Sequence, residues 1–226
     1  MKTVAIITAA GFGKRMGQPK QFIELAGKSI LERTLSVFDN CKLIDSIILV
    51  VNQEDVERAK KFKFEKLEQV VAGGKERQDS VSNGLKVLAK EVEIVVIHDG
   101  ARPFVTLEII ENSVRETEKA GAVVVGVPVK DTIKEVGELS GSRVAGTLDR
   151  QKLWAAQTPQ VFKKDIILQA YSDGATRCQV TDDAMLVEKL GVPVKMVMGS
   201  YRNIKITTPE DLLIARAFLK EGEQNG

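Results

Sequence analysis

Apolar and polar positions along this chain switch between two periods. Thr3–Thr8, Ser46–Val51, Glu68–Ala72, Glu93–His98 and Ala122–Val129 are short, β-branched and almost continuously apolar. That is the pattern of strands buried on both faces. Between them the spacing is helical: Leu31, Leu35 and Phe38 share one face, and Leu107, Ile110 and Val114 share another. Ser29-Ile30-Leu31-Glu32 reads as a capping box opening the first helix. Asn52 and Asp55 offer a cap and a first-turn carboxylate for a second. A further helix is predicted from about Ser80 to Lys90, and one over Thr106–Ala120 with Gly121 as its C-cap. Thr181-Asp182-Asp183 caps a helix that runs to Leu190 and stops at Gly191, and Val194–Val197 is a strand. Asn203–Thr207 reads as a last short strand, after which Thr208 and Pro209 open the final helix. The alternation predicts an α/β fold: one domain over residues 1–226, with a mostly parallel twisted sheet covered by helices on both faces.

One segment breaks the alternation. Lys130–Lys152 carries few apolar residues (Ile133, Val136, Val144, Leu148) and glycines at 137, 141 and 146. It reads as a hairpin-like arm inserted at about 130–152. A lone two-stranded ribbon is marginal in water, so the arm either packs on another subunit or is a surface loop.

Composition narrows the function classes. A net charge of +2 and the lack of a long basic run argue against a nucleic-acid partner. The single histidine, His98, excludes a His-rich metal site. Cys41 and Cys178 form no C-x-x-C pair and read as packing residues of a reducing compartment. No apolar run reaches membrane-spanning length. The N-terminal Val4–Ala10 run reads as a core strand rather than a leader, so no membrane association and a cytoplasmic location are expected.

The chemistry starts directly after the first strand, in Ala9-Ala10-Gly11-Phe12-Gly13-Lys14-Arg15-Met16-Gly17-Gln18-Pro19-Lys20-Gln21. Glycines there let the backbone approach a ligand, and successive N–H groups make an anion-binding concavity beside Arg15 and Lys20. The dinucleotide fingerprint fails because Met16 stands where its third glycine belongs, and no Gly-Lys-Ser/Thr completes a Walker A loop. What remains is a nucleotide-phosphate site held by cations, with a solvated surface turn as the alternative. Gly73–Ser80 is a second Gly-rich loop and Asp99–Arg102 a third, each following a strand. In parallel sheets such loops converge beyond the carboxyl ends of the strands. Asp99 is the candidate for metal and ribose contact, or else a turn carboxylate. His98 is read as a satisfied, partly buried side chain.

Five blocks occur in order: Ala9-Ala10-Gly11-x-Gly13-x-Arg15-Met16 with Pro19-Lys20-Gln21, Gly73-Gly74-x-x-Arg77-x-x-Ser80-Val81, His98-Asp99-Gly100-Ala101-Arg102-Pro103, Thr158-Pro159-Gln160, and Lys205-x-Thr207-x-Pro209-Glu210-Asp211-Leu212. Together they resemble the 2-C-methyl-D-erythritol 4-phosphate cytidylyltransferases of the non-mevalonate isoprenoid pathway. The resemblance runs from the first strand to the last helix. It implies a Rossmann-like nucleotidyltransferase, a homodimer joined by the arm, acting on CTP and a polyol phosphate with a divalent cation, usually magnesium. Arg15 and Lys20 would be the catalytic pair. CTP would contact Ala9, Ala10, Gly11, Gly13, Arg15, Lys20, Gly74, Ser80, Asp99 and Gly100, although Ser80 reads equally as a helix cap. The methylerythritol phosphate would meet Thr132, Arg150, Thr181, Lys205 and Thr207, with Arg150 reaching the partner's site. From the residues alone, Arg150 is a solvated arm residue, while Thr158-Pro159-Gln160 could simply be a turn and Arg77 could be structural. Two departures from relatives stand out: a shorter loop between Arg15 and Lys20, and Thr8 where many carry proline. The rival readings are the same chemistry on another polyol phosphate such as ribitol 5-phosphate, a sugar-1-phosphate nucleotidylyltransferase, and a non-catalytic nucleotide-binding module.

Overall fold

The computed structural model describes residues 1–11, 19–137, 143–172 and 180–224. A seven-stranded sheet forms the centre, in the order β11-β7-β10-β6-β1-β4-β5. Its strands are β1 (Lys2–Ala9), β4 (Ser46–Val51), β5 (Leu67–Ala72), β6 (Val92–Asp99), β7 (Ala122–Pro128), β10 (Trp154–Lys163) and β11 (Lys195–Met198). All neighbours are parallel except β10, which runs antiparallel to both β6 and β7. Two small hairpins stand outside the sheet: β2 (Glu24–Leu25) with β3 (Lys28–Ser29), and β8 (Lys134–Val136) with β9 (Val144–Thr147). The helices are α1 (Ile30–Asn40), α2 (Val56–Ala59), α3 (Arg77–Lys86), α4 (Leu107–Ala120), α5 (Lys164–Ser172), α6 (Ala184–Lys189) and α7 (Pro209–Gln224).

The α/β expectation holds, and the reason is visible in burial. β4 is buried at every position, and β6 at all but Glu93. Alternate residues feed two separate cores. Ile7, Leu49 and Val96 pack with Leu31, Leu35 and Phe38 of α1 on one face. Ile6, Ile48 and Ile97 pack with Val81 and Leu85 of α3 on the other. Two of the predicted N-caps form as well. Ser29 Oγ accepts from Glu32 N–H while Glu32 accepts from Ser29 N–H, and Thr106 Oγ1 accepts from Ile109 N–H. Gly121 takes a φ of 82°, a left-handed conformation that a glycine adopts without strain.

Four local expectations change. Asn203–Thr207 joins no sheet; it runs as an extended segment tied to the third loop by Ile206 N–H on Ala101 O and by Arg102 Nη1 on Asn203 O. Thr158-Pro159-Gln160 is no turn but part of β10, where the register with β7 shifts between Ala156 and Gln160. The helix expected from Ser80 begins three residues earlier, because Asp79 reaches back to Glu76 N–H. Asn52 makes no side-chain cap, and a 3-10 turn over Gln53–Asp55 precedes the short α2. The arm is a two-stranded hairpin with Val136, Val144 and Leu148 exposed. Among the described residues no helix is long and apolar enough to cross a membrane.

Candidate active site

The order of the sheet fixes where a ligand can sit. From β1 the chain moves outward to β4 and β5, then returns across β1 to β6. The β1/β6 boundary is thus the point where the direction of winding reverses, and the loops leaving these two strands part to open a crevice. A cavity of about 510 Å³ lies there, lined by Thr8, Ala9, Ala10, Gly11, Lys20, Gln21, Gly74, Lys75, Glu76, Arg77, Ser80, Asp99, Ala101 and Lys205. The three loops singled out in the sequence all contribute to it.

The small residues make the floor. A Cβ on Gly73 would collide with Ala10 Cβ and Ser80 Oγ, so the first and second loops touch there with no room for a side chain. Ser80 Oγ accepts from Gly74 N–H at 3.1 Å and donates to Glu76 O at 3.2 Å. Ser80 is therefore a pin of the second loop as well as part of the cavity wall.

Lys20 enters through a 3-10 turn, Lys20–Phe22, whose position is set from below. Gln21 is 2% exposed and its Nε2 donates to Asp55 Oδ2 at 3.4 Å. Phe22 is covered by the Arg58 guanidinium at 3.9 Å from the ring centroid.

Asp99 is the electrostatic centre. It ends β6 with 5% of its surface exposed. Its Oδ1 accepts from Arg77 Nε at 3.1 Å, and its Oδ2 from Lys205 Nζ at 2.9 Å and Arg102 Nε at 3.4 Å. Burial alone would raise its pKa, but the charges of Arg77, Lys205 and Arg102 outweigh that and hold the carboxyl far below the usual carboxylate range. Arg77 also donates through Nη2 to Asp183 Oδ2 at 2.7 Å. Three cations meet two carboxylates in this cluster, leaving one positive charge in excess beside the cavity.

Behind Asp99 the side chains of Thr158 and His98 pair with each other and with the backbone. Thr158 Oγ1 accepts from Asp99 N–H at 3.1 Å, so its own proton points to His98 Nδ1 at 3.0 Å. Nδ1 is then an acceptor, and Nε2 carries the proton that it donates to Arg102 O at 3.3 Å. Burial pushes the imidazole pKa down to about 3, so the ring is neutral. His98 is fully buried and satisfied rather than a ligand.

The expected site residues separate into groups. Ala9, Ala10, Gly11, Lys20, Gly74, Ser80, Asp99 and Lys205 come together in the cavity wall. Gly100 lies behind it, where its N–H donates to Thr8 O and a Cβ would press on Ala9 and Thr8 O. Thr207 stands at the entry to α7, with its hydroxyl and N–H both donated to Asp211 Oδ2. Thr132 and Arg150 are exposed at the base of the arm, Arg150 donating through Nη1 to Lys130 O at 2.8 Å. Thr181 is exposed at the turn before α6. Gly13 and Arg15 lie outside the described residues. Two participants carried no role in the sequence reading: Gln21, and Asp183 as the second carboxylate on Arg77. The paired Asp182-Asp183 was a visible signal, but it is equally the signal of a helix cap.

Among the described residues no group of three or more His, Cys, Asp or Glu could hold a metal ion. Asp99 lines the cavity held by Arg77, Arg102 and Lys205, and Glu76 is the other carboxylate among the described lining residues. That donor set suits a hard cation that takes most of its oxygen ligands from phosphates and water.

The model of the family described as 2-C-methyl-D-erythritol 4-phosphate cytidylyltransferase matches residues 3–221. A protein of that name from Alkaliphilus metalliredigens is 50% identical over 234 aligned residues, covering 99% of this chain and 96% of the relative. Its namesake from Alkaliphilus oremlandii is 48% identical, covering 97% and 95%. The crystal structure of 4-diphosphocytidyl-2C-methyl-D-erythritol synthase from Anaerococcus prevotii has a TM-score of 0.86 at 37% identity, covering 97% of this chain and 96% of that one. With the fold, the position of the crevice and these matches in agreement, the chain belongs to the 2-C-methyl-D-erythritol 4-phosphate cytidylyltransferase family.

Proposed function

We propose that this chain transfers the cytidylyl group of CTP to the phosphate of 2-C-methyl-D-erythritol 4-phosphate, giving 4-diphosphocytidyl-2-C-methyl-D-erythritol and pyrophosphate. The observation that carries the reading is the cavity at the β1/β6 boundary, where Arg77 and Lys205 pair with Asp99 and Lys20 lines the same wall. The nucleophile is a phosphate monoester oxygen, already largely anionic at neutral pH because its second pKa is about 6. No general base is needed, in keeping with a chain whose one histidine is neutral and sealed behind the site. The barrier is electrostatic: two polyanions must meet, and charge builds on the leaving pyrophosphate. Fixed positive charge and positioning lower it. One P–O bond forms at the α-phosphorus as the bond to the pyrophosphate breaks, in line and with inversion, and no proton moves.

Lys20, and Arg15 by its place in the motif, neutralise the triphosphate as its charge shifts. Ala9, Ala10, Gly11, Gly13, Gly74 and Ser80 present small side chains and backbone groups to the base and ribose. Gly100 supports them from behind through its bond to Thr8 O. Lys205 takes the acceptor phosphate, with Thr132, Thr181 and Thr207 nearest the polyol. Family members are nucleotidyltransferases, which generally work with a divalent cation. We assign magnesium to Asp99, where it would screen the phosphate oxygens when bound. The protein works as a homodimer in the cytoplasm, the arm of one subunit bringing Arg150 to the acceptor site of the other. The exposed Val136, Val144 and Leu148 of the hairpin favour that assembly. We treat residues 1–226 as one nucleotidyltransferase domain with the arm inserted in it.

The test is pyrophosphate release with CTP and magnesium, comparing 2-C-methyl-D-erythritol 4-phosphate with ribitol 5-phosphate, and with UTP and ATP as controls. Release with CTP and the first acceptor alone is expected. Release only with ribitol 5-phosphate moves the protein to another pathway, and binding of CTP without release under any pairing reduces it to a binding module.

A further inference from the structure

We propose that Arg77 is a positioning residue for the transfer, held by Asp183 and Tyr171 so that its guanidinium fixes Asp99 and ties the acceptor-side turn to the nucleotide cavity. The proposal rests on the function set out above. Arg77 is the first residue of α3, at the end of the second loop, and it lines the cavity. Its two donors diverge, Nε to Asp99 Oδ1 and Nη2 to Asp183 Oδ2. Tyr171, from the last turn of α5, donates its hydroxyl to the remaining oxygen, Asp183 Oδ1, at 2.6 Å. Burial works against charge on Arg77, but Asp183 and Asp99 outweigh it and raise its pKa.

Each link has an anchor of its own. Asp183 is 1% exposed, and its N–H donates to Gln160 Oε1, which also accepts from Ala184 N–H. Gln160 Nε2 closes the same turn on Asp182 Oδ2 at 2.8 Å. This turn carries Thr181, so one guanidinium joins the strand end that bears Asp99 to the segment assigned to the acceptor. With Oδ1 engaged by Arg77 and Oδ2 by Lys205 and Arg102, the Asp99 carboxylate is pinned at both ends. Removing Arg77 frees it to turn about its last torsion toward the two remaining cations. A lysine supplies the same charge from a single nitrogen and lacks the planar fork that faces two carboxylates at once. Tyr171 is absent from the cavity wall. Among the described residues, its hydroxyl is linked to the cavity through Asp183 and Arg77.

The experiment uses the full chain and measures kcat and both KM values, with thermal unfolding, for Arg77→Lys, Arg77→Met and Tyr171→Phe. The proposal expects Arg77→Lys to be no better than Arg77→Met in kcat, each down roughly 10- to 100-fold, the range for a residue that orients a ligand-binding group. Tyr171→Phe should lose about 3- to 10-fold in kcat/KM for the acceptor, with a smaller change for CTP. Wild-type kcat in Arg77→Lys would show that charge alone matters and would overturn it. So would a folded Tyr171→Phe with unaltered constants, or variants that lose only thermal stability. Absence of turnover in the parent chain with either acceptor removes the functional reading itself, before any variant is compared.

Discussion

Lys205 Nζ lies 2.9 Å from Asp99 Oδ2, joining the segment before α7 to the end of β6 across the mouth of the cavity. The pair holds Lys205 at the cavity before any substrate arrives. It also explains why an extended segment that joins no sheet still has a defined place. Its anchors include Ile206 N–H on Ala101 O, Arg102 Nη1 on Asn203 O and this ion pair.

Lys205→Gln should therefore act on the acceptor side. KM for the polyol phosphate should rise by roughly 10- to 100-fold, the loss of one charge-assisted phosphate contact, with KM for CTP within about threefold. Steady-state kinetics with each substrate varied in turn decides it. Equal weakening of both substrates would mean that Lys205 serves the nucleotide.

His98 gives a pH prediction with a definite sign. Burial holds its pKa near 3 in the folded chain against an ordinary value of 6.5. Between those values the unfolded chain binds a proton that the folded chain refuses, so stability falls as pH drops through that window. The slope is at most about 1.4 kcal/mol per pH unit for one proton. His98 is the sole histidine, and the carboxylate of Asp99 adds its own loss only at lower pH, below the usual aspartate range. Urea unfolding at pH 7, 6 and 5 should show stability decreasing, and His98→Asn should flatten the decrease. A parent chain equally stable at pH 5 and 7 would contradict the buried neutral ring.

The sheet was legible because its strands are buried on both faces and so are apolar almost throughout, as Ser46–Val51 illustrates. Convergence of the three loops followed from strand polarity alone. Contacts made by polar side chains across the chain were not legible. Arg77 and Asp183 lie 106 positions apart, and nothing local distinguishes an aspartate that caps a helix from one that holds an arginine. Asn203–Thr207 misled for a related reason. Its alternation of Ile204, Lys205 and Ile206 is that of a strand, yet Ile206 fills a separate small core with Leu25, Ile30 and Ala215. Helix α5 carried no warning either, since Lys164–Ser172 follows β10 without an intervening loop.

The arm makes a prediction about subunits. If Arg150 serves the partner's site, Lys20→Ala and Arg150→Ala subunits are each defective alone. Mixed and re-associated, they form heterodimers in which one of two sites has both residues intact. Random pairing then restores about a quarter of parental activity. Activity that stays at the sum of the two defective homodimers would place Arg150 in its own subunit's chemistry or in none.

In the proposed mechanism fixed positive charge drives the transfer, and Lys20 is the residue to remove because its turn is anchored independently by Gln21 and Phe22. The measurement is single-turnover transfer from CTP by Lys20→Ala at saturating acceptor, with CTP affinity measured on the same protein. The transfer rate should fall at least about 100-fold, with CTP affinity reduced by roughly tenfold or less, because the charge acts chiefly on the transition state. A variant that transfers at near the parental rate would contradict it.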